Sequence, residues 1–225
     1  IHWLVGTKPG SQFNRFWKEV CAIDEVDIIN HDKFMSVEGS AGQNLHIYCD
    51  LDRLEEHLLE YSPNDAPIIK ELTGAAKIMS RINFPLDKPD ELLKLWNMPL
   101  ILFKMMPMFK VMGKFSLLSI KEYFKRVKDP FLRETFELVM PSDYPMISLI
   151  STLASHHAGD AGFPRGGSLE FARSLEKRFV ELGGVINYGK RIKEIKIDNE
   201  KAVGLVLENS TEIAGDIVVS AVDLY

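Results

Sequence analysis

The stretch "GFPRGGSLEFARSLEKRFVELGG", Gly162 to Gly184, restricts this chain more than any other. A proline and two adjacent glycines run straight into an amphipathic helix, and a second glycine pair closes it. Glycine reaches left-handed backbone without steric cost, so Gly166 and Gly167 allow a sharp entry into the helix. They also let main-chain N–H groups come close to a ligand at the helix end that carries partial positive charge. The same residues equally suit a plain helix start, where glycine and serine are common. Leu169, Ala172, Leu175, Phe179 and Leu182 recur at steps of three and four and predict the buried face.

Beyond the closing glycines the pattern changes to strands. "VINYG", "IKEIKID", "KAVGLVLEN" and "TEIAGDIVVSAV" read as four short strands separated by polar turns. The last ends in a β-branched run of the kind that fills a buried strand, whose backbone groups need neighbours. The chain starts at Ile1, without methionine and inside a strand-like stretch, and it stops just after that run. The expectation is a piece of a longer protein.

Upstream, "IHWLVG" alternates as a short strand does, and "SQFNRFWKEV" places Phe13, Phe16, Trp17 and Val20 on one helical face. "KFMSVEGSAGQNLHIYCD" reads as a hairpin, Phe34 to Glu38 and Leu45 to Cys49. Asp50 is placed to cap the helix "LDRLEEHLLEYS", with Leu51, Leu54, Leu58 and Tyr61 on one face, and Pro67 to Ile82 predicts another helix. The middle, Phe84 to Ala158, is helical and rich in methionine, and Pro99 and Pro107 are each expected to end or kink a helix there. Lys104, Lys110, Lys114 and the prolines argue against a transmembrane span.

With 225 residues, 46% of them hydrophobic, the chain has the composition of one or two globular domains. A net charge of −5 argues against a general nucleic-acid binder, because no phosphate-neutralising surface is indicated. Cys21 and Cys49 are the only cysteines and form no C-x-x-C, so a reducing cytoplasm is expected rather than a disulfide framework. The opening residues show no secretory signal pattern.

Several chemistries find no support. His156 and His157 are adjacent and diverge by about 100° on a helix, and His46 and Cys49 fall on opposite faces of a strand, so no metal site is expected. No G-x-S-x-G elbow is present, which removes a serine hydrolase of that type. The methionine-rich residues Trp96, Phe103, Met105, Met106, Met108, Phe109 and Met112 read chiefly as helical core. They also suit a pocket for a long apolar ligand, and the interleaved lysines suit peripheral contact with a membrane surface.

The ordered segment from "FPRGG" through "RIKEI" to "DIVVSAVD" resembles the FAD-dependent phytoene desaturase and carotenoid isomerase-like family of the amine oxidase superfamily. The likeness covers about 60 residues closely, by the order of its parts, and extends more thinly to "CDLDRLEEHLLEYSPND" and "IHWLVG". It implies an α/β fold in which a helical and antiparallel-sheet substrate portion, residues 1–162, joins part of an FAD-binding domain, residues 163–225. It implies cofactor-binding roles for Gly166, Gly167, Ser168, Ile192, Ser220 and Ala221. Ile192 would hold the adenine ring through its backbone, and the small Ser220 and Ala221 would pass near the dinucleotide. His2, Trp3, Phe163, Arg165 and Glu170 would stand on the substrate side of the flavin. No catalytic side chain is implied, because the hard chemistry in such proteins belongs to the flavin.

The sequence departs from the family in lacking a G-x-G-x-x-G between a strand and a helix, with its acidic partner further on. The chain by itself is therefore expected to bind FAD poorly or not at all. The resemblance implies a parent flavoprotein that transfers hydride from, or isomerises, an apolar polyene-like substrate. Two alternatives stay open: a non-catalytic module for hydrophobic ligands, and an amine-oxidising flavoenzyme.

Overall fold

The computed structural model describes residues 3–21, 23–82 and 98–222. His2 and Trp96 lie outside them. The chain divides into two compact units, Ile1–Arg178 and Phe179–Tyr225, both of mixed helix and antiparallel strand.

The first unit is built on a hairpin of β3 (Lys33–Glu38) and β4 (Asn44–Tyr48), whose register pairs Val37 with Leu45 and Met35 with Ile47. Alternation turns Leu45 and Ile47 inward, both fully buried, against α2 (Leu51–Tyr61). Asp50 caps that helix, its Oδ1 accepting from the backbone N–H of Asp52 at 3.0 Å and Arg53 at 2.9 Å. Leu51, Leu54 and Leu58 form the buried stripe and meet α3 (Ala66–Met79) through Leu72 and Ala76.

Four further helices close this core: α4 (Met98–Phe115), α5 (Ile120–Phe124), α6 (Pro130–Val139) and α7 (Met146–His157). Phe124 and Phe136 stack with ring centroids 4.5 Å apart and an interplanar angle of 9°. Asp65, buried just before α3, clasps the start of α6. Its carboxylate accepts from the hydroxyl of Ser62 at 2.8 Å and from the N–H groups of Lys128 and Asp129 at 2.8 and 3.1 Å.

α4 continues through Pro107, so of the two expected outcomes, an end or a kink, the helix does not end there. Pro107 and Phe103, one turn earlier, both lie on the solvent side, so the carbonyl freed by the missing N–H faces water. The methionine-rich face also departs from a core reading. Met108, Val111 and Phe115 are buried, but Leu102, Phe103, Met106, Phe109 and Met112 are exposed.

A small sheet stands beside this core, ordered β1 (Leu4–Val5), β5 (Ala161–Pro164), β2 (Ile28–Ile29), all neighbours antiparallel. Only glycine fits at position 162, because a Cβ there would lie 2.3 Å from Ile28 Cγ2. Against the sheet pack α1 (Gln12–Val20) and α8 (Gly167–Glu181), through a second core of Leu4, Cys21, Ile23 and Phe171.

Both helices turn differently from the sequence expectation. In α1, Trp17 packs on Phe171 and donates to the carbonyl of Val5 at 2.7 Å, while Phe13, Phe16 and Val20 are exposed. The most buried residue of α1 is the polar Asn14, which donates to the Gly6 carbonyl at 3.0 Å and accepts from Gly10 N–H at 3.2 Å. In α8, Phe171 is buried and Leu175 half-buried, whereas Leu169 and Phe179, and Leu182 just past its end, are exposed. Trp17 and the β1 backbone select the Phe171 side, a choice that spacing alone does not contain.

The second unit holds an antiparallel meander of β6 (Ile192–Asp198), β7 (Lys201–Leu207) and β8 (Glu212–Ala214). Two expected strands are not formed. "VINYG" is irregular, and the run after Ala214 is irregular with Ile217, Val219 and Val222 largely exposed. No strand among the described residues pairs with that run, and a β-branched run gains nothing from extension without a ladder.

Candidate functional site

Strand β5 organises the one place where several of the sequence candidates converge. It leaves α7 by a short turn at Ala158 and Gly159, and the two histidines ending α7 separate as their helical positions dictate. His157 turns to α2, its Nδ1 accepting the N–H of Leu51 at 3.1 Å. His156 turns inward and is 9% exposed.

Around His156 stand three aromatic rings. Phe34 of β3 is 4.7 Å away between centroids, Trp3 5.6 Å and Phe163 of β5 6.4 Å. Trp3 and Phe34 meet edge to face at 5.2 Å, and His31 meets Phe163 likewise at 4.9 Å. The Nε2 atom of His156 is buried and has no hydrogen-bond partner among the described residues. Burial, and then the nearby His31, push the His156 imidazole down to about 4, so the ring is neutral at neutral pH. The cluster is thus aromatic, with the neutral His156 imidazole inside it and the His31 imidazole against Phe163.

The same strand runs directly into the glycine pair. Gly166 and Gly167 both adopt left-handed backbone, with φ of +84° and +73°. The space a Cβ would take at Gly166 is filled by the Glu170 side chain, but at Gly167 it is open. Ser168 is exposed beside it. Arg165 is anchored by its N–H to the Asp27 carbonyl at 2.8 Å and by an ion pair to the Asp27 carboxylate. Glu170 pairs with Arg173. Both ion pairs are solvent-exposed and add little stability.

Trp3 and Phe163 are therefore brought together, and His156, Phe34 and His31 join them without having been singled out in the sequence. A signal for His156 existed, because it continues the buried stripe of Leu149 and Leu153 at helical spacing, a polar residue on an apolar face. Ile192, Ser220 and Ala221 fall in the second unit. Ile192 begins β6 and is half-exposed, and Ser220 and Ala221 are exposed in irregular chain after β8.

The left-handed backbone at Gly167 has open space where a Cβ would stand, which leaves its peptide accessible at the helix mouth as a flat group such as a flavin would need. No group of three His, Cys, Asp or Glu among the described residues is arranged to hold a metal ion.

Residues 108–225 match the family model of flavin containing amine oxidoreductases. The chain belongs to this family. It is 38% identical over 76 residues to the chloroplastic prolycopene isomerase of Daucus carota, covering 34% of this chain and 12% of that protein. To the Arabidopsis thaliana prolycopene isomerase it is 31% identical over 103 residues, 43% of this chain and 17% of that one. A lycopene-forming phytoene desaturase of a Paracoccus species is 22% identical over 212 residues, 89% of this chain and 40% of its own length. The chain thus spans less than half the length of these relatives. The family is that of flavin-containing oxidoreductases, and its carotenoid desaturase and isomerase members are among the proteins this chain resembles. No helix among the described residues is long and apolar enough to cross a membrane.

Proposed function

We propose that this chain forms the substrate-facing portion of an FAD-dependent oxidoreductase acting on an apolar polyene. The observation that carries this reading is the aromatic site of Trp3, Phe34 and Phe163 in a chain related to prolycopene isomerases and a phytoene desaturase. Flat aromatic walls bind a conjugated hydrocarbon by dispersion and exclude water without offering it a charge. A bound flavin would supply the redox chemistry, accepting hydride from carbon or assisting a change of double-bond geometry. Gly166, Gly167 and Ser168 would let it approach the helix mouth, and Arg165 and Glu170 would flank the substrate side.

The test begins with the visible absorption spectrum of the natural full-length protein. A flavin spectrum, together with chromatographic conversion of phytoene or of a cis-lycopene, supports the proposal and separates desaturation from isomerisation. A folded, colourless protein that stays colourless with added FAD overturns it and favours a hydrophobic-ligand module.

The exposed side of α4 supports a companion proposal, peripheral contact with a membrane that carries the apolar substrate. Leu102, Phe103, Met106 and Phe109 are exposed there, with Lys104 and Lys110 among them to meet anionic headgroups. Flotation with vesicles containing phosphatidylglycerol tests it. Binding that is lost in a Phe103→Ser/Phe109→Ser double variant supports the contact, and no flotation of the wild type removes it.

A further inference from the structure

We propose that the groove between α3 and α4 holds a single-chain anionic amphiphile, a long-chain fatty acid, with its carboxylate paired to Lys70 and Lys110 and its tail running out past Ile78 and Met106. The proposal goes beyond the flavoprotein reading and does not depend on it.

The groove has a volume of about 550 Å³, within the range of small-molecule sites. Lys70, Gly74 and Ile78 line it from α3, each one turn from the next, and Met106, Pro107 and Lys110 line it from α4. Ala75, Val111 and Phe115 are buried beneath them and make an apolar floor. Gly74 keeps the space open. It lies within α3, where glycine is a poor helix former, and its backbone is not left-handed, so no turn calls for it. A Cβ there would meet nothing within 4 Å, and any larger side chain would stand in the groove.

Charge and apolar surface are separated along the groove. Glu71, the acid in its lining, is already satisfied: it pairs with Lys114, pairs with Arg126 at 2.9 Å and accepts from the Tyr123 hydroxyl at 3.3 Å. Lys70 and Lys110 form no ion pair with any described residue. The Glu71–Lys114 pair sets the start of α3 beside the end of α4, so the cations gather there, and Ile78, Met106 and Pro107 stand toward the other end. Roughly 12 Å of helix separates Lys70 from Ile78. One hydrocarbon tail gains by leaving water along that floor, and a carboxylate gains charge-assisted hydrogen bonds from the two ammonium groups. A neutral hydrocarbon would leave both lysines unanswered, and a small inorganic anion would leave the floor wet.

The experiment is carbon-13 NMR of carboxyl-labelled palmitate titrated into the natural full-length protein, with calorimetry for affinity. The expected result is one saturable carboxylate resonance displaced from that of free palmitate. The Lys70→Gln/Lys110→Gln double variant should weaken binding about fivefold, and hexadecanol, with the same tail and no charge, should bind the wild type correspondingly less well. Gly74→Phe should abolish binding by filling the groove. Gly74→Ala provides a second check that does not strain the fold, with a raised Tm and weaker palmitate binding. No saturable binding by the wild type overturns the proposal, as does unchanged binding by a folded Gly74→Phe or by Gly74→Ala. Hexadecanol binding as tightly as palmitate overturns the role of the lysines. The Phe103→Ser/Phe109→Ser variant separates this site from the membrane contact. Palmitate binding retained in that variant supports the groove, and binding lost there assigns palmitate to the outer side of α4 and overturns it. Flotation of a wild type that binds no palmitate leaves the membrane contact standing and sinks this inference alone.

Discussion

The imidazole of His156 and the ring of Phe34 lie 4.7 Å apart between centroids, tilted by 44°. A histidine ending one helix is thereby buried against a hairpin strand more than a hundred residues earlier.

That burial links stability to pH. The folded-state value of His156 is pushed down to about 4 by burial first and the neighbouring His31 second, below the ordinary histidine value of about 6.5. The unfolded chain therefore binds the proton first as pH falls. Stability present above pH 6.5 should decline between about 6.5 and 4, by an amount on the order of 3 kcal/mol. His57 is shifted down too, by burial and by His46, and adds a change of the same sign. Urea unfolding across this range should show the decline, and His156→Phe should flatten most of it. An equal slope in that variant would assign the effect elsewhere.

Asp65 holds the start of α6 to the region between α2 and α3. Burial pushes its carboxyl up, but hydrogen bonds from Lys128, Asp129 and Ser62 outweigh that and hold it below the usual carboxylate range. Its stabilising contribution is therefore present at neutral pH and is lost as pH falls through the lowered value. Asp65→Ala should cost about 3 kcal/mol, because it leaves two main-chain N–H groups and a hydroxyl without their acceptor. Chemical denaturation at pH 7 measures it. A loss below the range for one ordinary hydrogen bond, roughly 1 kcal/mol, would contradict the clasp.

Phe124 and Phe136 stack in the centre of the larger core, each 1% exposed. Phe124→Ala should destabilise by about 4 kcal/mol through lost burial and the cavity left behind. Phe124→Leu, which conserves more of the volume, should recover over half of that. Paired thermal melts of the two variants decide it.

Asn14 should behave as a core residue despite its polarity. Asn14→Leu removes the donor to Gly6 and the acceptor for Gly10 and leaves the enclosed Gly6 carbonyl unpaired, costing about 2 kcal/mol. Faster amide exchange at Gly10 is the local signature. Substitution of the exposed Phe16 by Ser should change stability by less than about 0.5 kcal/mol.

Features that depend on neighbours a few residues away are legible in the residue order. The Asp50 cap, the buried leucines of α2, the β3–β4 hairpin and the left-handed glycines before α8 all follow from local spacing and backbone preference. The family likeness was legible for a similar reason, because it rests on an ordered run of such parts. Which face of an amphipathic helix is buried depends instead on what packs against it. Phe171 rather than Leu169 faces the core because Trp17 waits on that side, and Asn14 is buried because two glycine turns need its amide. The strand character of Ile217 to Val222 failed to appear because a strand is a property of a pair, and no pairing strand stands beside that run among the described residues. The aromatic site likewise draws on Trp3, Phe34, His156 and Phe163, whose proximity arises from chain crossings that no local pattern encodes.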